Sequence, residues 1–147
     1  MTTIAKRKQR DQRRRTRGAA AVEMAVCLPV IVLFVLGIVE FGRALMVQQL
    51  VTNCAREGAR QSIIDGSSNV NITQTVKDLA AETVNIDPSK FSVTIAVNGA
   101  SGTDVATAQA GDVCSVSVGV PFGDVRFLPA GFLGGQTLVG RSSMHHE

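Results

Sequence analysis

Apolar residues follow three patterns along this chain. From Ala19 to Val39 they are nearly continuous, AAAVEMAVCLPVIVLFVLGIV, with Glu23 the one charge. At 1.5 Å per residue such a run rises roughly 30 Å, the thickness of a bilayer's hydrocarbon core, and predicts a membrane-spanning helix. Pro29 falls inside the run, where a spanning helix tolerates the lost donor by kinking. Beyond Glu40 and Arg43 the pattern changes. Ala44, Val47, Val51, Cys54, Gly58 and Ser62 recur at every third or fourth position, with Gln49, Asn53, Arg56 and Arg60 at the same spacing on the opposite side. That is a helix packed along one side. Asp65-Gly66-Ser67-Ser68 ends it. One long helix, or two joined by a hinge near Gly42, would satisfy both patterns.

A second amphipathic stretch from Ile72 to Val84 places Ile72, Val76, Leu79, Ala80 and Thr83 on one face, with Asn71 and Gln74 reading as a capping pair. Strict alternation comes next. Phe91, Val93, Ile95 and Val97 alternate with polar or small residues, as do Cys114, Val116, Val118 and Val120, and each set predicts a half-buried strand. Between them, Asn98 to Asp112 is rich in Gly, Ala, Ser and Thr and reads as a mobile hairpin loop. Pro121 ends the second strand, Phe122 to Gly135 reads as irregular, and Thr137 to Ser142 as a short third strand. The expected fold is α+β: a single-pass N-terminal transmembrane helix extending into a small domain with a second helix and a small antiparallel sheet. The expected divisions are a basic leader at 1–18, the span at 19–41, a helix extension at 42–65 and an exported domain at 66–147.

Charge gives the span a direction. Lys6, Arg7, Lys8, Arg10, Arg13, Arg14, Arg15 and Arg17 face Asp11 alone, a net +7 in the first 18 residues, and the remainder sums to −4. Basic residues flanking a span stay in the cytosol, so the remainder should be exported. The run is too long for a cleaved secretory signal, and EFGRALMVQQ after it offers no small-x-small site. It is also too long and too apolar for a twin-arginine signal.

Several function classes find nothing to stand on. Without Trp or Tyr, and with few Phe, stacking surfaces for nucleic acid are hard to build, and nucleic acid is not an expected partner. No serine–histidine–aspartate set, phosphate-binding loop, dinucleotide fingerprint or paired-carboxylate site is present, so no enzyme activity, cofactor or metal is expected. His145 and His146 beside Glu147 read as a solvated tail. Cys27, Cys54 and Cys114 show no CxxC spacing. Cys54 falls on the inward helix face and Cys114 on the apolar strand face. Export into an oxidising compartment leaves two readings open, a Cys54–Cys114 disulfide and a pair of free buried thiols.

The stretch Arg17-Gly18-Ala19-Ala20-Ala21-Val22-Glu23 carries the most specific signal. A Gly closing a basic leader, then a Glu five residues into an apolar helix, resembles the processing pattern of type IV prepilins. Cleavage between Gly18 and Ala19 would create an α-amino group at Ala19. An acid in the span costs about 2–3 kcal/mol at depth and needs a partner. In an assembled filament the new amine of one subunit can approach Glu23 of its neighbour, and the small side chains at 19–21 permit close helix packing.

The resemblance then widens. Gly18, Ala21-Val22-Glu23, Pro29, Gly37-Ile38-Val39-Glu40-Phe41-Gly42-Arg43 and Ala55-Arg56-Glu57-Gly58-Ala59-Arg60 together resemble the TadE-like family, pilin-like proteins of the tight-adherence (Flp) pilus assembly system. The match covers roughly the first third to two-fifths of the chain, with a weaker echo in Val118-Gly119-Val120-Pro121-Phe122 and Ser142-Ser143-Met144. It implies a minor pilin-like or accessory component, processed at Gly18–Ala19, with Glu23 setting subunit register. Its partners would be the lipid bilayer, other pilus assembly components, pilin-like subunits and the prepilin peptidase. Met24 stands where major pilins of this system carry an aromatic residue, which argues against the major subunit. Two alternatives fit the same residues: an uncleaved membrane-anchored extracytoplasmic binding module, and a pseudopilin of a type II-like secretion system.

Overall fold

The computed structural model describes residues 2–64, 66–125 and 135–146, with side chains from residue 18 onward. The basic side chains of the leader, Asp65 at the expected helix end, residues 126–134 of the expected irregular stretch and Glu147 lie outside the described residues. The chain divides into two units, Met1–Val39 and Glu40–Glu147. The second is called the head below.

Helix α1 runs without a break from Thr2 to Ser62, through Pro29, Gly37 and Gly42, so the hinge reading at Gly42 is not what forms. In the first unit every side chain from Gly18 to Val35 is exposed, and this helix is long and apolar enough to cross a membrane. Large apolar groups have no protein neighbour to bury them here. A lipid surround is the solvent that suits them.

In the head, one side of α1 carries the predicted stripe into the core. Ala44, Val47, Val51, Cys54, Ala55 and Ala59 are buried, as are Gly58 and Ser62. The helix ends where Gly66 takes a positive φ of 82° and the Ser67 hydroxyl donates to the Gln61 carbonyl at 2.8 Å. Helix α2 covers Asn69–Val84 and buries Ile72, Val76, Ala80, Ala81 and Val84. Its N-cap is Ser68, whose side chain accepts from the Asn71 N–H, and not Asn71 as the sequence pattern implied. Asn85 closes it in the left-handed conformation, and the Ile86 N–H returns to the Ala81 carbonyl.

The sheet has four antiparallel strands, β1 (Ser92–Val97), β2 (Ala100–Ser101), β3 (Val113–Pro121) and β4 (Thr137–His145), in the spatial order β2-β1-β3-β4. Both predicted main strands form, and the predicted third strand extends three residues further, to His145. Alternation sorts the faces. Phe91, Ile95, Cys114, Val116, Val118 and Val120 go to the core, while Thr94, Ser117 and Arg141 lie side by side on the other face. The helices cover one face of the sheet, and the layers are fitted to each other at two glycines. A Cβ on Gly58 of α1 would stand 2.8 Å from Val76 Cγ2 of α2 and 3.1 Å from Val116 Cγ1 of β3. A Cβ on Gly140 of β4 would meet the backbone of Val51 and Thr52 in α1.

The stretch from Asn98 to Asp112 is not the loose loop its composition implied. Asn98 and Gly99, with φ of 50° and 82°, turn β1 directly into β2. Positive φ at both central residues is the hairpin geometry that matches strand twist. The rest is pinned to the start of α2: Asn69 Nδ2 donates to Thr103 O at 2.9 Å, and the Val105 N–H donates to Asn69 Oδ1 at 3.1 Å. Val105 is thereby buried in the core. Within the Gly- and Pro-rich stretch, Phe122–Val125 forms a single helical turn, α3, and buries both Phe122 and Val125.

Candidate functional site

Gly18, Ala19 and Glu23 lie within six residues on the exposed surface of α1. A Cβ on Gly18 would meet nothing within 4 Å, so packing does not demand a glycine here. Its effect is on the helix itself, which a Gly weakens by about 1 kcal/mol relative to Ala. Glu23 stands among exposed apolar side chains, Val22, Met24 and Val26. The ion pairs among the described residues, Arg60–Glu57 and Lys90–Asp124, do not involve it.

A second carboxylate, at the end of the apolar run, belongs to the head. Glu40 is 2% exposed, and neither of its carboxylate oxygens has a hydrogen-bond partner among the described residues. The stripe that packs α1 against the head begins with this residue: Glu40, Ala44, Val47, Val51. Extending the three-to-four spacing back by one turn would have found it. Arg43, one turn along, does not turn to it, and its Nε donates to the Val125 carbonyl at 3.2 Å. A buried polar group without a partner is costly, and a charged one far more so. Glu40 is thus an acceptor site with no donor among the described residues. Those residues also hold no group of three or more His, Cys, Asp or Glu able to bind a metal ion.

The cysteines are not bonded to one another in this structure. Cys54 and Cys114 are both buried and both free, and Cys27 is exposed on α1. Cys114 lies beside Ser62, eight residues beyond Cys54 on the same helix. Burial raises both thiol pKa values above the ordinary one. Alkylation of the folded and the denatured chain distinguishes the two readings left open by the sequence.

The histidines are not a solvated tail. His145 ends β4 and is exposed, but His146 is buried, and its backbone exchanges 2.8 Å hydrogen bonds with Gly111 and Asp112. Asp112 organises this corner. It accepts from the Gln109 N–H and the Asn98 side chain, which hold its carboxyl below the ordinary aspartate range.

Residues 18–60 match the family model of the TadE-like protein. The matched segment starts at Gly18 and includes Glu23, Glu40 and Arg43, and it ends at Arg60 two residues before α1 does. Neither the curated proteins nor the solved structures gave a match to the chain.

Proposed function

We propose that this chain is a minor pilin-like or accessory protein in the assembly of a tight-adherence pilus, anchored in the bacterial inner membrane by α1 with its basic leader in the cytosol and its head outside. The observation that carries the reading is the TadE-like match over residues 18–60, which coincides with a helix apolar enough to span a bilayer. The charge block before the span supports the orientation.

The reading includes processing between Gly18 and Ala19 by a prepilin peptidase. Gly18 lies in a helix, and a peptidase must open that helix to reach the bond. A glycine makes the local opening cheaper. After cleavage the Ala19 amine becomes the counter-charge for Glu23, within the subunit or on its neighbour, and fixes the axial register of packed helices. The absence of an aromatic residue at Met24 favours a minor component over the main filament subunit.

The test is the N-terminus of the membrane-extracted protein, determined by sequencing from hosts with and without the peptidase. Ala19 at the N-terminus only in the first host supports processing, and an intact leader in both overturns it. Recovery of pilus components with the tagged, membrane-resident chain tests the assembly role separately. Its persistence as a solitary monomer there would leave the anchored binding module as the better account.

A further inference from the structure

From Glu40 onward α1 has two unlike sides. One belongs to the head's core. The other presents Phe41, Leu45 and Met46, which are 60%, 57% and 57% exposed. The next residues on that same arc of the helix are Gln49, Asn53, Arg56 and Arg60, all exposed. The outer arc therefore switches from apolar to polar at one level, between Met46 and Gln49.

A seam for a partner helix runs lengthwise and persists along the helix as a stripe. This apolar surface is instead cut off across the axis, as a change of solvent would cut it. The length agrees. Ala19 to Met46 is 28 residues, about 42 Å of rise, which matches a bilayer with both interfacial layers and exceeds the hydrocarbon core alone.

We infer that the first two helical turns of the head are seated in the lipid interface, with Phe41, Leu45 and Met46 against acyl chains and the water border at Gln48–Gln49. This rests on the reading of residues 19–41 as a membrane span and moves its outer edge onto the head. The partner of this surface is lipid. Arg43 extends from the same level to the Val125 carbonyl, so α3 comes to rest at the headgroups. Glu40, on the core side of these turns, lies behind the lipid-facing arc and away from bulk water.

The test uses the full chain with Cys27→Ser, in vesicles of phosphatidylethanolamine and phosphatidylglycerol. An environment-sensitive fluorophore is attached to single cysteines introduced as Phe34→Cys, Leu45→Cys or Asn53→Cys. Cys54 and Cys114 are buried and stay unlabelled in the folded head. The expected result is loss of fluorescence to a lipid-borne nitroxide at position 45, comparable to that at 34, and loss to aqueous iodide at 53. Iodide quenching at 45 equal to that at 53, or quenching at 45 by neither agent, overturns the inference while leaving the span intact. So does lipid quenching at 53. Iodide quenching at 34 would sink the spanning reading itself, and the inference with it.

Discussion

Gly140 of β4 crosses Val51 of α1 so closely that a Cβ on the glycine would collide with the Val51 carbonyl carbon. The obstacle is helix backbone, which cannot step aside as a side chain end can. Gly140→Ala should therefore destabilise the head by about 3 kcal/mol, at the upper end of overpacking costs. Gly42→Ala is the contrast, since that glycine sits exposed in α1 with nothing near it. It should raise stability by about 0.5–1 kcal/mol through helix propensity. Denaturant midpoints of the two variants in detergent, read by circular dichroism, check both signs.

Glu40 gives a prediction of the opposite kind from most core substitutions. Its carboxylate is buried without a partner among the described residues, so replacing it with the similarly shaped Met removes a cost and leaves no cavity. Glu40→Met should stabilise the head by about 1–3 kcal/mol. An unfolding midpoint below that of the parent chain would show that the carboxylate has a donor in the folded protein.

Acid should loosen the corner around Asp112. Its folded pKa is depressed, chiefly by the Gln109 N–H and then by Asn98, so the unfolded chain takes up a proton first as pH falls. The contribution is fully present above the unfolded aspartate value, near pH 4, and is lost as pH drops through the lower folded value. Asp112→Asn should lower the melting temperature at neutral pH and flatten its dependence on pH below about 4. Melting curves of both proteins between neutral and acid pH measure the slope.

Burial of the thiols predicts their reactivity. Cys54 and Cys114 should resist alkylation while the head is folded and react once it is denatured, with no mass change on reduction beforehand. Mass spectrometry before and after denaturation separates this from a Cys54–Cys114 bridge, which would leave neither residue alkylated until reduced.

Much of this molecule can be read from periodicity. The span, the Ala44-to-Ser62 stripe and the two main strands are each long enough to repeat their pattern, and repetition is what distinguishes period 2 from period 3.6. The harder parts are single residues whose meaning depends on what they meet. Ser68 takes the N-cap of α2 from Asn71 because the helix begins one turn earlier than its apolar residues do. Asn98-Gly99 is a hairpin signal that the surrounding small residues concealed. Val105 looks like one apolar residue in a polar loop until Asn69 pins it down. Gly18, Ala19 and Glu23 could be picked out because their spacing carries a pattern. Glu40 keeps the three-to-four spacing of the stripe that it starts, but its carboxylate breaks the apolar pattern by which the stripe is recognised.

The 23 residues from Glu40 to Ser62 form one wall of the head's interior and belong to the same helix as the apolar run before them. A protease cutting anywhere in this stretch would take core side chains away with the stump, so the head cannot be shed whole. Release of an intact head requires a cut ahead of Glu40.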